Sequence, residues 1–113
     1  MNTKSFGIVA IVVALPLVAT AGPAGAQQLN PLEQRGRAIL TKLCSECHAV
    51  GRTGQSPRLQ APPFRSIAQR YEIPDLVEQF RNGFTGPHPD MPTFTVSRDA
   101  ARAVQAYLYA IQK

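Results

Sequence analysis

Apolar positions follow two different patterns, which divide the chain near residue 26. Residues 6–21 form an almost unbroken apolar run that contains Pro16. From residue 30 onward, apolar residues recur at spacings of three and four, the period of helices with one buried face. No stretch alternates apolar and polar residues as a half-buried strand does. The pattern therefore predicts an all-α domain that follows a short apolar leader.

The leader has the composition of a secretory signal peptide. Lys4 gives a positive start, the apolar run follows, and Ala24-Gly25-Ala26 has the small-x-small form of a cleavage site. A membrane-spanning segment is the alternative interpretation, but the run is shorter than the roughly 20 residues that a bilayer core requires. We expect cleavage after Ala26, which defines residues 1–26 as the signal peptide and residues 27–113 as one exported, periplasmic domain.

Two long helices are predicted near the two ends of this domain. Asn30 can cap the first helix, Pro31 suits its first position, and Glu33 can return a bond to the cap. Ser97 is the expected N-cap of the last helix, which runs from Arg98 to about Ile111. Their inner faces are predicted to hold Leu32, Gly36, Ile39, Leu40 and Leu43 in the first helix, and Val104, Tyr107, Leu108 and Ile111 in the last.

Gly36 is the unusual member of the first inner face. Glycine within a helix costs about 1 kcal/mol relative to alanine, so it is either a tolerated accident or a place where another helix crosses closely. We interpret it as a close crossing.

The middle of the domain combines short helices with long loops. A short helical stretch is predicted at residues 65–71, and a second helix begins at I-P-D over 73–75, with Pro74 as its first residue, and ends at Asn82-Gly83. Proline and glycine exclude regular structure from residues 49–63 and 84–96. The expected fold is all-α, with three to five helices.

A domain of this size lacks enough apolar volume for a core of its own. The 113-residue chain has no Trp, five Phe and ten Pro. Small domains bury only about 60–65% of their unfolded surface. A disulfide between Cys44 and Cys47 would close a loop too short to restrain the chain much. We therefore expect a component other than protein in the core.

Residues 44–48 read C-S-E-C-H, and C-x-x-C-H is the attachment signature of c-type haem. Two thiols three residues apart can each form a thioether with one vinyl group of the porphyrin, and the next residue can place its imidazole under the iron. Cys44, Cys47 and His48 are thus predicted to hold one covalent haem c, whose apolar disc completes the core.

Three other interpretations of the motif fit less well. A thioredoxin-like dithiol requires a strand before the motif, whereas a helix is predicted there. Zinc requires two further ligands, and outside the motif the mature chain offers only His88 as a nitrogen donor and no thiol. A simple disulfide leaves His48 unexplained.

The second axial ligand of the iron is predicted to be Met91, the only methionine of the mature chain. It lies in the proline-rich segment P-H-P-D-M-P at 87–92, whose stiffness lowers the entropy lost in holding a weak ligand. Methionine also commonly fills gaps in a core, which is the alternative role. His88 is the rival ligand, and its spacing from Met91 indicates that the two do not share the iron.

Several short motifs extend the pattern: G-x-x-x-L at 36–40, C-S-E-C-H at 44–48, A-P-P-F at 61–64, M-P-x-F at 91–94 and A-Y-L at 106–108. Over about residues 31–111 the chain thereby resembles the class I c-type cytochromes, small single-haem electron carriers of bacteria. The resemblance implies the cytochrome c fold. Leu40 departs from it, because many relatives carry an aromatic residue there.

The resemblance also assigns roles to particular residues. It implies that Gly36 lies where the first and last helices cross, against Tyr107. It implies that the carbonyl of Pro62 accepts the proton of the His48 imidazole, which would fix the ring. It further implies that Phe64 packs on the haem.

Histidine and methionine ligation would leave no position on the iron for a substrate. The predicted function is therefore a one-electron carrier without catalytic turnover. The formal net charge of +5, lowered by one when Lys4 leaves, favours brief docking to acidic patches of redox proteins, such as a dehydrogenase donor and an oxidase or reductase acceptor. We expect a monomer that binds neither nucleic acid nor, after cleavage, a membrane. A peroxidase-like enzyme or gas sensor with a displaceable ligand, and a subunit of a dehydrogenase complex, are the alternatives.

Overall fold

The structure is a computed structural model that describes residue 2, residues 7–20, residue 22 and residues 27–84, 86, 87 and 89–113. It contains the α-helices α1 (Pro31–Cys44), α2 (Ile73–Asn82) and α3 (Arg98–Ile111), with a 3-10 helix at Phe64–Gln69 between α1 and α2. The β-structure of the described residues is one isolated antiparallel bridge between Phe84 and Phe94. The predicted all-α fold is confirmed.

Both long helices begin where the sequence predicts. At α1 the Asn30 side chain accepts from the amide of Glu33 at 2.9 Å, and the Glu33 carboxylate accepts from the amide of Asn30 at 2.8 Å. At α3 the Ser97 hydroxyl accepts from the amide of Ala100 at 3.2 Å. These bonds satisfy amide groups that the first turn of a helix leaves unpaired.

Helices α1 and α3 cross at Gly36, as predicted. A Cβ atom added to Gly36 would lie 2.6 Å from the carbonyl carbon of Ala103 and 2.8 Å from Cβ of Tyr107. Any side chain at this position would therefore force the helices apart. Tyr107 is 1% exposed, and its hydroxyl donates to the carbonyl of Val50 at 2.7 Å. The crossing thus also fixes the loop that follows the cysteine motif.

Helix α2 buries its apolar face and holds both ends of the segment that carries Met91. Phe80 contacts the rings of Phe84 and Phe94, with centroids 5.6 and 5.5 Å away. The amide of Val96 donates to the carbonyl of Phe80 at 3.1 Å. Gly83 ends the helix at φ 87°, a left-handed conformation that glycine adopts without strain.

The predicted inner face of α1 is wrong at two positions, Leu32 and Leu43. Leu32 and Leu43 are each 41% exposed, because α1 turns the i, i+4 stripe of Gly36, Leu40 and Cys44 inward. Leu43 precedes Cys44 by one residue and is therefore rotated about 100° from this stripe. Leu32 belongs to the first turn of the helix, beyond the crossing.

The shorter helices also differ from the prediction by one or two residues. The α2 helix begins at Ile73, so Pro74 is its second residue rather than its first. Proline is tolerated there because amides of the first turn need no partner within the helix. The predicted stretch at 65–71 is the 3-10 helix Phe64–Gln69.

The leader region contributes no element to this fold. Residues 7–20 contain neither helix nor strand, and no helix in the described part of the chain is long and apolar enough to cross a bilayer. Lys4, the expected cleavage site at 24–26 and His88 lie outside the described residues.

Candidate haem-binding site

The end of α1 carries the cysteine motif into a tight turn. Cys44 is the last residue of the helix and is buried, whereas Cys47 in the turn is half-buried, and neither forms a disulfide. The amides of Cys47 and His48 both donate to the carbonyl of Cys44, at 3.2 and 2.9 Å. The backbone therefore gathers both thiols and the imidazole around one helical end.

The Cys44 thiol is hard to ionise in the folded chain. Burial, with a smaller contribution from nearby Cys47, raises the pKa of the Cys44 thiol from 9.0 to about 12. Because the thiolate is the nucleophilic form, the folded chain keeps Cys44 in its unreactive form at neutral pH.

His48 is oriented by one hydrogen bond and one ring contact. Its Nδ1 lies 2.8 Å from the carbonyl oxygen of Pro62, the contact that the family resemblance implied. A carbonyl only accepts, so Nδ1 donates in this contact and Nε2 is not engaged by it. Phe64 stacks on the imidazole with centroids 4.9 Å apart and planes inclined by 17°. Nε2 is thus the ring nitrogen that this hydrogen bond leaves for a metal.

The loop between His48 and Phe64 is closed by backbone bonds. The amide of Phe64 donates to the carbonyl of Ala49 at 3.0 Å, and the amide of Ala49 donates to the hydroxyl of Ser56 at 3.0 Å. Ser56 is 7% exposed. Sequence reasoning did not identify Ser56, because a lone serine in an irregular loop has no periodic pattern to distinguish it.

Met91 is half-buried, and its sulfur lies directly against the backbone of Gly86. Gly86 is buried, and a Cβ atom built on it would overlap the Met91 sulfur. The sequence singled out Met91 but gave no reason to examine Gly86.

An ion pair joins the loop after the motif to the residue before Met91. The Arg58 guanidinium donates to the Asp90 carboxylate at 2.8 Å, and the amide of Arg58 donates to the carbonyl of Cys47 at 3.1 Å. The hydrogen bond and the charge of Asp90 raise the pKa of Arg58. One residue therefore links the cysteine turn to the Met91 segment.

The donor set fits haem c. It offers two free thiols on a C-x-x-C turn, an imidazole whose Nδ1 is already bonded, and a thioether in a separate segment. In the described part of the chain, no three or more His, Cys, Asp or Glu side chains cluster in a way that could hold a metal ion without a porphyrin. The structure places Cys44, Cys47, His48, Pro62 and Phe64 around one loop, and Met91 on the segment that Arg58 ties to that loop.

Comparisons with known proteins match the part of the chain that contains this site. Residues 31–108 match the family model described as cytochrome c oxidase, cbb3-type, subunit III. The chain is also similar to cytochrome c-552 of Bradyrhizobium diazoefficiens, with 29% identity over 77 residues, which cover 68% of this chain and 72% of that protein. No solved structure matches the chain with significant similarity. The matched range includes the cysteine motif and Met91.

Proposed function

We propose that this chain, which belongs to the cytochrome c oxidase, cbb3-type, subunit III family and is a c-type cytochrome, transfers single electrons between redox proteins. Its family implies covalently bound haem c. In our proposal there is one haem, attached through Cys44 and Cys47, with His48 and Met91 as axial ligands.

The bond between His48 and Pro62 carries this proposal. It commits Nδ1 to the protein and leaves Nε2 as the one ring nitrogen that can bind iron. The stacked Phe64 ring limits rotation of the imidazole. A ligand held in this way keeps its position when the charge of the iron changes, which favours rapid electron transfer.

The bound haem would supply a one-electron change between ferrous and ferric iron. The residues of the chain would hold and enclose it. The two cysteines would fix its edge to the end of α1, and Met91 would bring a thioether from the segment that α2 and the Phe84–Phe94 bridge hold at both ends. Thioether ligation raises the reduction potential relative to a second histidine.

With both axial positions filled by side chains, no position remains for a substrate. We therefore propose a carrier without catalytic turnover. The peroxidase-like or gas-sensing alternative requires Met91 to leave the iron readily. Met91 is only half-buried, and an experiment therefore has to distinguish this alternative from the carrier.

Partners and location follow from charge and from the leader. We propose that residues 1–26 direct export and are removed, and that residues 27–113 act in the periplasm as a monomer. The mature domain, whose formal net charge is +4 because Lys4 leaves with the leader, suits acidic docking patches, where complementary charge speeds encounter. We propose an oxidase or reductase as acceptor and a dehydrogenase as donor, and the family description, which names an oxidase, supports the first of these.

The absorption spectrum of the ferric protein tests the axial ligands. We expect a low-spin spectrum with the weak far-red band that methionine ligation gives. Met91→Ala should lose this band, whereas Leu59→Ala, at an apolar side chain that is 80% exposed, should keep it. A high-spin spectrum of the unmodified protein, or a far-red band that persists in Met91→Ala, would contradict the proposal.

A further inference from the structure

Gly86 and Met91 make a contact that neither helix packing nor the bridge explains. Gly86 is buried, and a Cβ atom on it would overlap the Met91 sulfur and lie 3.3 Å from Cγ and 3.4 Å from Cβ of Met91. The space next to the Gly86 backbone is therefore filled by the thioether of Met91.

The backbone at position 86 does not itself require glycine. Among the described residues, a left-handed φ is found at Gly54 and Gly83, and Gly86 is not one of these positions. Pro87 follows it and restricts it towards extended conformations, which suit alanine as well. Position 86 thus requires glycine because a larger side chain there would overlap the Met91 sulfur.

An added methyl group would meet backbone at Gly36 but a movable side chain at Gly86. At Gly36 an added Cβ meets the backbone of Ala103, which cannot move without separating two helices. At Gly86 it meets the far end of a flexible side chain, which can rotate away. The Met91 backbone has less freedom, because Pro92 restricts the residue before it. A methyl group at position 86 would therefore displace the sulfur and leave the fold in place.

We propose that Gly86 is a positioning residue that leaves room for the Met91 sulfur in the place from which it binds the iron. This inference rests on the proposed role of Met91 as axial ligand. A side chain at 86 would turn the thioether away and open the iron to outside ligands.

The test compares haem-loaded Gly86→Ala with Gly51→Ala. Gly51 is the matched control because an added Cβ there would meet one atom, the Thr53 carbonyl oxygen, at 3.9 Å. We expect Gly86→Ala to weaken the far-red band and to bind carbon monoxide in the ferrous state roughly tenfold faster, as expected for overpacking by one methyl group. Gly51→Ala should match the unmodified protein in both measurements. An unchanged band and rate in Gly86→Ala would overturn the inference.

A double variant shows whether the effect passes through the sulfur. In Met91→Ala, adding Gly86→Ala should change neither carbon monoxide binding nor thermal stability, because the overlapping side chain is gone. The same comparison applies if Gly86→Ala alone is unstable, since removal of the Met91 side chain should then restore stability. An equal effect of Gly86→Ala with and without Met91 would refute positioning through sulfur. If the unmodified protein lacked the far-red band, the proposed axial role of Met91 would fail, independently of these variants.

Discussion

The His48 and Met91 sides of the site are held by different kinds of interaction. His48 is bonded to Pro62, stacked on a buried phenylalanine, and lies in a loop closed by backbone bonds. Met91 lies in a segment anchored at its ends by aromatic packing, with an exposed ion pair and a glycine contact near the sulfur. The comparison indicates that the half-buried imidazole is held by a core residue, Phe64, and by a backbone carbonyl, whereas the sulfur ligand depends on local packing. Variants on the His48 side should therefore reduce stability, and variants on the Met91 side should change ligand binding.

The largest expected effect is that of Phe64→Ala. Phe64 is 3% exposed and stacks on His48, and removal of a buried phenylalanine typically costs about 3–5 kcal/mol. Denaturant unfolding of the haem-loaded protein measures this loss. Phe94→Ala, in the segment that carries Met91 and only partly buried, is the matched control and should cost less. An equal or larger loss in Phe94→Ala would contradict the distinction between the two sides.

Gly36→Ala tests the helix crossing on which the His48 side is built. The added methyl group meets the backbone of Ala103 and should cost about 1–3 kcal/mol in the free energy of unfolding. Gly51→Ala, at an open position, provides the control. The far-red band should persist in folded Gly36→Ala, because the Met91 segment is anchored by α2. Stability equal to that of the unmodified protein would show that the helices can separate without cost.

Tyr107→Phe tests the His48 side of the site through the pH dependence of its stability. Loss of the hydroxyl leaves the buried carbonyl of Val50 without its donor and should cost about 1 kcal/mol near pH 7. Burial raises the pKa of Tyr107 above 10.0, an effect that Arg37 and Arg52 oppose. The neutral hydroxyl therefore stabilises the fold below pH 10, and this contribution disappears as the pH rises through the higher pKa of the folded state.

The stability difference between the unmodified protein and Tyr107→Phe should thus be constant below about pH 9 and narrow above pH 10. Unfolding titrations at a series of pH values measure it. A difference that widens above pH 10 would mean that the ionised form is favoured by folding, contrary to the burial of this hydroxyl.

The smallest effect is expected from the ion pair on the Met91 side. Both side chains of Arg58 and Asp90 are more than half exposed, at 53% and 69%, so their attraction is screened by salt. Asp90→Asn should speed carbon monoxide binding a few-fold at low salt and have no effect at high salt. Asp99→Asn, which removes the partner of Arg102 on α3, is the control and should change nothing at either salt concentration. An effect of Asp90→Asn that does not depend on salt would exclude an ionic restraint.

The features that could be predicted from sequence are local or carry a steric requirement. Asn30 and Ser97 start helices through bonds that span three residues, and Gly36 indicates a crossing because a glycine within a helix requires a reason. The predicted burial of Leu32 and Leu43 was wrong, because the helical period alone does not show how wide a face the partner helix covers.

The features that sequence reasoning missed join distant or irregular parts of the chain. Arg58 and Asp90 are 32 residues apart in two loops, and neither lies in a periodic pattern. Gly86 looks like an ordinary loop glycine until the position of the Met91 sulfur is known. On the His48 side, Ser56 is identified only by its bond to the amide of Ala49.

The most direct test of the proposed electron carrier is carbon monoxide binding to the reduced, unheated protein at neutral pH. Because His48 and Met91 are proposed to fill both axial positions, we expect binding to be slow and limited by dissociation of the thioether. Prompt and complete binding, at a rate proportional to the carbon monoxide concentration, would show that one side of the iron is open and would contradict a function restricted to electron transfer.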